Sequence, residues 1–238
     1  MTDTLIEAKG VSAGYGKMPV IRELDLHVDA GEVVALIGAN GVGKTTTLLT
    51  MAGELTPMAG EVHFLGEPTR APMHARCRNG LGYLTEERSV IMEMSVADNL
   101  KLAAVSPQVA FEFFPALERI MGRRAGLCSG GEQQMLSLAR ALGRHPKVLL
   151  ADELLLGLAP IIVANLLKAV RDAADERGVG VLLVEQHVRQ ALDIADRVYL
   201  MERGRITLTG TSDELVNQLG KIEDVYLATN IKTQSTVE

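Results

Sequence analysis

The sequence has few cysteines, no dense cluster of basic residues and no long uninterrupted hydrophobic run. Only Cys77 and Cys128 occur among its 238 residues. They lie in no metal-ligand spacing, which excludes a disulfide-rich scaffold or a cysteine-based zinc site and is typical of a reducing cytoplasm. The formal net charge is −6, and without a Lys/Arg run we expect no general nucleic-acid-binding surface. The first ten residues also lack the basic start and apolar core of a signal peptide.

The most apolar long stretch, residues 148–167, is a poor candidate for a membrane span. It is interrupted by Asp152, Glu153, Gly157, Pro160 and Asn165, whereas a span needs about 20 predominantly apolar residues. If the protein serves a membrane, we expect it to act from outside the bilayer. The two adjacent acids in LLADELLLGLAP raise a separate question, because carboxylates are rarely buried without partners. They belong either to a metal-dependent site or to a strand end that meets water.

The hydrophobic pattern predicts strands that alternate with helices. Strands are predicted at 5–11, 20–28, 32–38, 61–66, 80–85, 147–153, 179–185 and 197–210, and helices at 44–53, 131–144, 160–178 and 188–195. The first two strands partly alternate, which indicates an antiparallel sheet with one solvated face. The later strands are continuously apolar, and their alternation with helices predicts a mostly parallel α/β sheet. Residues 88–127 are predicted to be helical but less regular.

The strongest motif is GANGVGKTT at residues 38–46, which fits the phosphate-binding pattern G-x-x-x-x-G-K-[ST]. It follows a predicted buried strand and opens a helix, so backbone N–H groups and the helix N-terminus can surround phosphate oxygens. Lys44 is expected to reach the β- and γ-phosphates and Thr45 to bind Mg²⁺. The residues expected to contact the nucleotide here are Gly38, Asn40, Gly41, Gly43, Lys44, Thr45 and Thr46.

The phosphate-binding loop gives the adjacent acids a candidate role. In such proteins the phosphate-bound Mg²⁺ requires a carboxylate at the end of a neighbouring buried strand, which is the position of Asp152 in VLLADE. Glu153 would then polarise the attacking water. Taken alone, an apolar strand ending in two acids is equally consistent with a strand that ends in solvent.

A second candidate anion site is CSGGEQQ at residues 128–134. Ser129, Gly130 and Gly131 directly precede an amphipathic helix. Ser129 and Glu132 also have the spacing of a capping box. The two interpretations are compatible, because a capped helix end still presents N–H groups.

These motifs carry a family resemblance. GANGVGKT, CSGGEQQ, VLLADE and VEQH, in this order and spacing, resemble the Walker A, signature, Walker B and switch motifs of an ABC-type ATPase subunit. The resemblance implies an α/β fold with a RecA-like P-loop NTPase core, a mostly parallel sheet, an N-terminal antiparallel β subdomain and a small helical subdomain. It implies one nucleotide-binding domain over 3–232, with the helical subdomain at about 88–128 and a loosely ordered tail at 233–238.

The same resemblance assigns roles to further residues. Tyr15 matches the aromatic residue that stacks on adenine, the alternative being a strand-edge tyrosine. Glu86 matches the position that senses Mg²⁺ and contacts the membrane subunit, where the wider family has glutamine. Ser129 to Gly131 match the residues that bind the γ-phosphate of an ATP held by a second subunit, which implies a head-to-tail dimer. His187 matches the switch histidine at the γ-phosphate, the alternative being a structural role.

Three positions depart from the family pattern. Leu154 and Leu155 stand where a proline and then a serine or threonine are usual, at the start of the D-loop that crosses between subunits. Losing the rigid turn and the hydroxyl is expected to alter hydrolysis or the coupling of the dimer. Cys128 replaces the usual leucine or methionine at the head of the signature. The segment between Glu86 and Ser129 is also short for the family.

More narrowly, SAGYGK, GEQQML, GLAPIIV and LVEQ resemble the shorter of the two ATP-binding subunits of branched-chain amino-acid importers. The expected function is ATP hydrolysis, with ATP and Mg²⁺, at the cytoplasmic face of the cell membrane. The implied partners are permease subunits, a second ATP-binding subunit and, indirectly, a solute-binding protein, but no nucleic acid. Three alternatives remain: a urea or amide importer, a hydrolysis-impaired regulatory module, and a soluble ABC ATPase acting on DNA or ribosomes.

Overall fold

The computed structural model describes residues 3–186 and 188–216. A four-stranded antiparallel sheet contains, in spatial order, β2 (Met18–Asp29), β1 (Thr4–Tyr15), β4 (Ala59–Phe64) and β5 (Glu67–Pro68). The predicted N-terminal antiparallel sheet is therefore confirmed. Its strands run further than predicted because irregular pairing between β1 and β2 interrupts the alternating pattern beyond Ala8.

The second sheet has six strands. Their order is β10 (Arg205–Thr211), β9 (Arg197–Glu202), β3 (Val33–Ile37), β8 (Gly180–Glu185), β7 (Val148–Asp152) and β6 (Leu81–Leu84). All neighbours are parallel except β9 and β10, which form an antiparallel hairpin on the edge. The run predicted at 197–210 is thus two strands, joined at Arg203 and Gly204, which both have positive φ.

The helices confirm the alternating plan. They are α1 (Lys44–Ala52), α2 (Met73–Arg78), α5 (Gly130–Leu142), α6 (Pro160–Arg177), α7 (Val188–Leu192) and α8 (Ser212–Val216). Helix α6 begins at a proline, which is favoured in a first turn, and ends before Gly178 in the left-handed conformation. The short α2 is not predicted by the hydrophobic pattern, and α7 is three residues shorter than predicted.

Between β6 and α5 the chain forms short helices rather than long ones. These are α3 (Val96–Leu102), α4 (Pro107–Phe113) and two 3₁₀ turns at Pro115–Ile120 and Ala125–Leu127. Residues 111–126 do not form one continuous helix, because Phe114 precedes a proline and has φ −138° and ψ 84°. The helices lie within the range expected for the helical subdomain, whose boundaries remain a prediction.

Hydrophobic side chains pack on both faces of the six-stranded sheet. On one face they join it to α1 and the antiparallel sheet, and on the other to α5, α6 and the short helices. Strands β3, β7 and β8 are buried along their whole length. Since parallel strands end at the same edge of a sheet, the chain segments that follow these three strands meet there. None of the helices within the described residues is long and apolar enough to cross a membrane.

Candidate functional site

The phosphate-binding loop lies between the end of β3 and the start of α1. Gly38 is required by packing, because a Cβ atom there would lie 2.6 Å from the carbonyl oxygen of Met201. Gly43 has φ 116° and caps α1 without a side-chain hydrogen bond, so backbone N–H groups of the first turn have no side-chain acceptor at this cap. Such a helix end suits an anion.

Lys44 is the buried cation of this loop. Its side chain is 5% exposed, and Nζ donates hydrogen bonds to the carbonyl oxygens of Gly38 at 2.8 Å and Ala39 at 3.2 Å. Burial lowers the pKa of Lys44, opposed by the nearby charges of Glu153 and Asp152. The ammonium is therefore held inside the loop, where phosphate oxygens are expected.

The two adjacent acids lie at this same edge of the sheet. Asp152, the last residue of β7, is 3% exposed, so the reading in which it simply meets solvent is wrong. Glu153 has φ 47°, its N–H donates to the carbonyl oxygen of Val184 at 2.9 Å, and its Oε1 lies 3.9 Å from Lys44 Nζ. Strand β8 lies between β7 and β3, so the acids reach the loop across one intervening strand.

The environment of Asp152 fits a divalent cation. Burial raises its pKa, while a hydrogen bond from the Thr45 side chain lowers it and the charge of Glu153 raises it further. Asp152 Oδ1 is buried and has no hydrogen-bond partner within the described residues. An unpartnered carboxylate oxygen beside a hydroxyl is a donor set that Mg²⁺ prefers, completed by phosphate and water oxygens. No group of three or more His, Cys, Asp or Glu residues that could hold a metal ion occurs in the described ranges.

A third carboxyl, Glu185, is part of the site and was not predicted. It ends β8, is 1% exposed, and its Oε1 accepts a hydrogen bond from Leu155 N–H at 3.2 Å. Burial raises its pKa to about 8, opposed by the Leu155 hydrogen bond and reinforced by the charges of Glu153 and Asp152. The signal in the sequence that points to Glu185 is the same as in VLLADE, an apolar strand that ends in an acid. The family resemblance of VEQH instead assigns a role to its histidine alone.

The signature segment forms the predicted capping box. The backbone N–H of Glu132 donates to Ser129 Oγ at 3.3 Å, and the N–H of Ser129 donates to Glu132 Oε2 at 2.7 Å. Gly130 lies against the guanidinium of Arg88, and Gly131 against Ile162 at the start of α6, where a Cβ atom would be 3.0 Å from two side-chain carbons. The two glycines therefore permit close packing at the start of α5.

The remaining candidates are distributed around this centre. Tyr15 is 56% exposed at the end of β1. Asn40, Gly41 and Thr45 are exposed on the loop, whereas Thr46 is buried. Glu86 is exposed, and its charge is the weakest of those acting on Lys44 and Asp152. His187 lies outside the described residues.

One chain brings together only part of the predicted site. Lys44, Thr45, Asp152 and Glu153 interact directly. Within residues 3–186 and 188–216, no hydrogen bond or ion pair joins Ser129, Gly130 or Gly131 to the phosphate-binding loop.

Comparison with known families settles what this arrangement is. The family model described as "ABC transporter" matches residues 21–155, a range that contains the loop, the signature and both acids. The chain belongs to the ABC transporter family. It is the ATPase subunit of a transporter, and its cassette fold is shared with solved ATP-binding cassettes, including an ATP-binding subunit of an ABC transporter with 29% identity, TM-score 0.78, and coverage of 91% of this chain and 93% of that chain.

Two curated relatives of this ABC ATPase have different transport roles. The high-affinity branched-chain amino acid transport ATP-binding protein BraG of Pseudomonas aeruginosa is 39% identical over 227 residues, covering 91% of this chain and 97% of BraG. The lipopolysaccharide export system ATP-binding protein LptB of Acidithiobacillus ferridurans is 37% identical over 235 residues, covering 94% and 96%. Whole-chain similarity thus identifies the ABC ATPase without selecting its solute.

Proposed function

We propose that this ABC ATPase energises an importer of branched-chain amino acids, with ATP and Mg²⁺ bound at the edge of the six-stranded sheet. The observation that carries the catalytic part is the convergence of Lys44, Thr45, Asp152 and Glu153 in one cluster, in which Lys44 and Asp152 are buried. The identity to BraG supports the importer assignment. Urea and other amides are the alternative solutes of this proposal.

Each residue of the cluster has its own proposed role in ATP hydrolysis. The loop N–H groups and Lys44 bind the phosphates, and Thr45 and Asp152 hold Mg²⁺, with Glu86 as an outer contact. When bound, Mg²⁺ neutralises charge on the β- and γ-phosphates. Glu153 orients and polarises the attacking water, and His187 is proposed to contact the γ-phosphate. Tyr15 is exposed enough to stack on adenine.

We assign the signature helix to a second site shared between two chains. In one chain Ser129, Gly130 and Gly131 have no bond to the phosphate-binding loop within the described residues, although they form the capped N-terminus of α5. A head-to-tail dimer brings this end onto the ATP of the partner subunit and completes two equivalent sites. Gly131 also packs on Ile162, so the signature is coupled to the segment that follows Glu153.

The proposed binding site for the permease subunit is a groove between α2, β6 and α5. Its volume is about 940 Å³. Among its lining residues are Arg78, Arg140, Arg144 and Lys147, with Glu54 as the acidic member. A basic groove in a chain of net charge −6 favours an acidic cytoplasmic segment of a permease subunit as its occupant. The ATPase would then act peripherally at the cytoplasmic face of the membrane.

A specific variant tests the role of Glu153. Glu153→Gln is expected to bind ATP yet accumulate as a closed dimer, because the amide cannot polarise the attacking water and hydrolysis falls by about a hundredfold or more. Size-exclusion chromatography with ATP and phosphate-release assays measure the two effects. Lys44→Ala is the control, since it should lose nucleotide binding and remain monomeric. Turnover at the wild-type rate in Glu153→Gln would remove the assigned role.

The solute requires the complete transporter. The ATPase is co-purified with its permease subunits, reconstituted in vesicles and tested for uptake of leucine, urea and short amides. Leucine-dependent ATP turnover supports the importer assignment, and turnover driven only by urea or amides selects the alternative. The identity to LptB motivates a second candidate, lipopolysaccharide export, which predicts co-purification with an export complex and no solute uptake.

A further inference from the structure

The segment after Glu153 begins in an unusual backbone conformation. Glu153 has φ 47°, a left-handed value that is strained for a non-glycine residue and persists only where neighbouring contacts enforce it. The turn that follows covers residues 154–157. At its start, Glu153 N–H donates to the carbonyl oxygen of Val184 at 2.9 Å, and within it Leu156 N–H reaches the Glu153 carbonyl oxygen at only 3.4 Å.

Neither Leu154 nor Leu155 stiffens the backbone of this turn by itself. Leu154 and Leu155 are 1% and 2% exposed and pack in the hydrophobic core. Packing anchors their side chains, but neither leucine restricts φ as proline does or offers a hydroxyl to the backbone. The conformation therefore needs another polar contact in the middle of the turn.

Glu185 provides this contact. Its carboxyl is 1% exposed at the end of β8, and Oε1 accepts the Leu155 N–H at 3.2 Å. Val184, the residue before it, accepts the Glu153 N–H. Two successive residues of β8 thus bind two N–H groups of the turn, one on each side of Leu154, and connect the catalytic segment to the strand between β7 and β3.

We propose that Glu185 is a positioning residue, whose carboxyl binds Leu155 N–H and thereby holds the turn that directs Glu153 toward the nucleotide. The inference rests on the proposed catalytic role of Glu153. Glu185 need not touch ATP, and only its acceptor oxygen is required. Displacing a catalytic group by about 1 Å can lower a rate by about a hundredfold, so losing this hydrogen bond should lower kcat and leave nucleotide binding in place.

Glu185→Met and Glu185→Gln separate the acceptor from the volume of the side chain. Both approximate the length of glutamate, but only glutamine keeps an acceptor oxygen. Glu185→Met is expected to lose at least about tenfold in kcat while its Kd for a non-hydrolysable ATP analogue stays within about threefold. Glu185→Gln should retain at least about a third of kcat. If Glu185→Met does not fold, Glu185→Ala replaces it with the same expectation.

Two controls make the result specific to Glu153. Asn99→Leu changes another fully buried polar residue, on a helix that carries none of the proposed nucleotide contacts, and should lower stability without lowering kcat of the folded protein. In the Glu153→Gln background, Glu185→Met should add no further loss, because it acts through the glutamate already removed. Wild-type kcat in Glu185→Met, equal loss in the methionine and glutamine variants, or full additivity with Glu153→Gln would each overturn the proposal. Failure of the proposed function is seen separately, as wild-type turnover in Glu153→Gln alone.

Discussion

At the residue scale, the site concentrates three carboxyl groups around one ammonium. Asp152, Glu153 and Glu185 all act electrostatically on Lys44. If all four groups were ionised, the cluster would carry two excess negative charges in a largely buried space that must also accept phosphate. Keeping Glu185 neutral reduces this repulsion, and its raised pKa has that effect near neutral pH.

The raised pKa makes stability depend on pH in a defined direction. The folded protein keeps a proton on Glu185 up to about pH 8, whereas the unfolded chain releases it above its ordinary value of 4.5. The folded state therefore binds more protons between these values, and the Glu185 contribution to stability is lost as pH rises through that window. Across this window the free energy of unfolding of the wild-type protein should fall by on the order of a few kcal/mol because of Glu185.

Glu185→Gln isolates this effect because glutamine does not titrate. Its free energy of unfolding relative to wild type should rise between about pH 5 and about pH 8, measured by urea denaturation in EDTA without nucleotide. The raised pKa of Asp152 acts in the same direction but is common to both proteins. A difference that stays constant across this range would show that Glu185 is ionised in the folded state.

Site residues that lie in short continuous motifs could be predicted from the sequence, and those that depend on distant contacts could not. Gly38, Lys44 and Asp152 belong to continuous motifs that each follow a predicted buried strand, so their meeting at one sheet edge could be predicted from these motifs. Glu185 could not be assigned, because its importance arises from Leu155, thirty positions earlier in sequence. That contact becomes visible only when β7 and β8 are paired in register.

At the scale of elements, the parallel strands and their helices were predictable, and the short helices were not. Strand β3 and helix α6 have continuous or periodic apolar patterns with clear ends. Residues 88–127 instead depend on tertiary hydrogen bonds, and Phe114 leaves the helical conformation because of the proline that follows it. Local propensity therefore does not determine this region.

Asn99 holds the first of these short helices in place. It is fully buried on α3; its Oδ1 accepts Ile91 N–H at 2.9 Å, and its Nδ2 donates to the carbonyl oxygens of Ile91 and Ser95 at 3.0 Å each. Asn99→Leu keeps the branched shape of the side chain but leaves the Ile91 groups without this partner. We expect a loss of about 2 kcal/mol in the free energy of unfolding, measured by urea denaturation.

A matched substitution on the surface provides the control. Asn165 is exposed on α6, so Asn165→Leu should change the free energy of unfolding by no more than about 0.5 kcal/mol. Similar losses in the two variants would contradict the role of Asn99 as a tertiary anchor. ATP hydrolysis by the folded Asn99→Leu protein should match wild type, because α3 carries none of the proposed nucleotide contacts.

At the scale of the whole molecule, the proposed active unit contains two chains. The loop, Asp152 and Glu153 belong to one chain, and the N-terminus of α5 belongs to the other. A variant of the signature should therefore inactivate a site whose own loop is intact. Gly130→Asp is suitable because an acid in a first helical turn is favourable to folding, its Cβ meets the flexible end of Arg88, and its charge repels phosphate.

Mixing two inactive variants tests this arrangement directly. Lys44→Ala and Gly130→Asp should each lack ATPase activity alone, since every site that either variant could form by itself contains a defect. A mixed dimer places both defects in one site and leaves the other with a wild-type loop and a wild-type signature. If subunits exchange at random and sites act independently, equal mixing should restore roughly a quarter of wild-type turnover. A chain carrying both substitutions, mixed with Lys44→Ala, is the negative control, because none of the resulting dimers contains an intact site. Restored activity in that control would mean that activity does not require an intact loop paired with an intact signature. Wild-type turnover by Gly130→Asp alone would mean that a single chain hydrolyses ATP without the partner's signature.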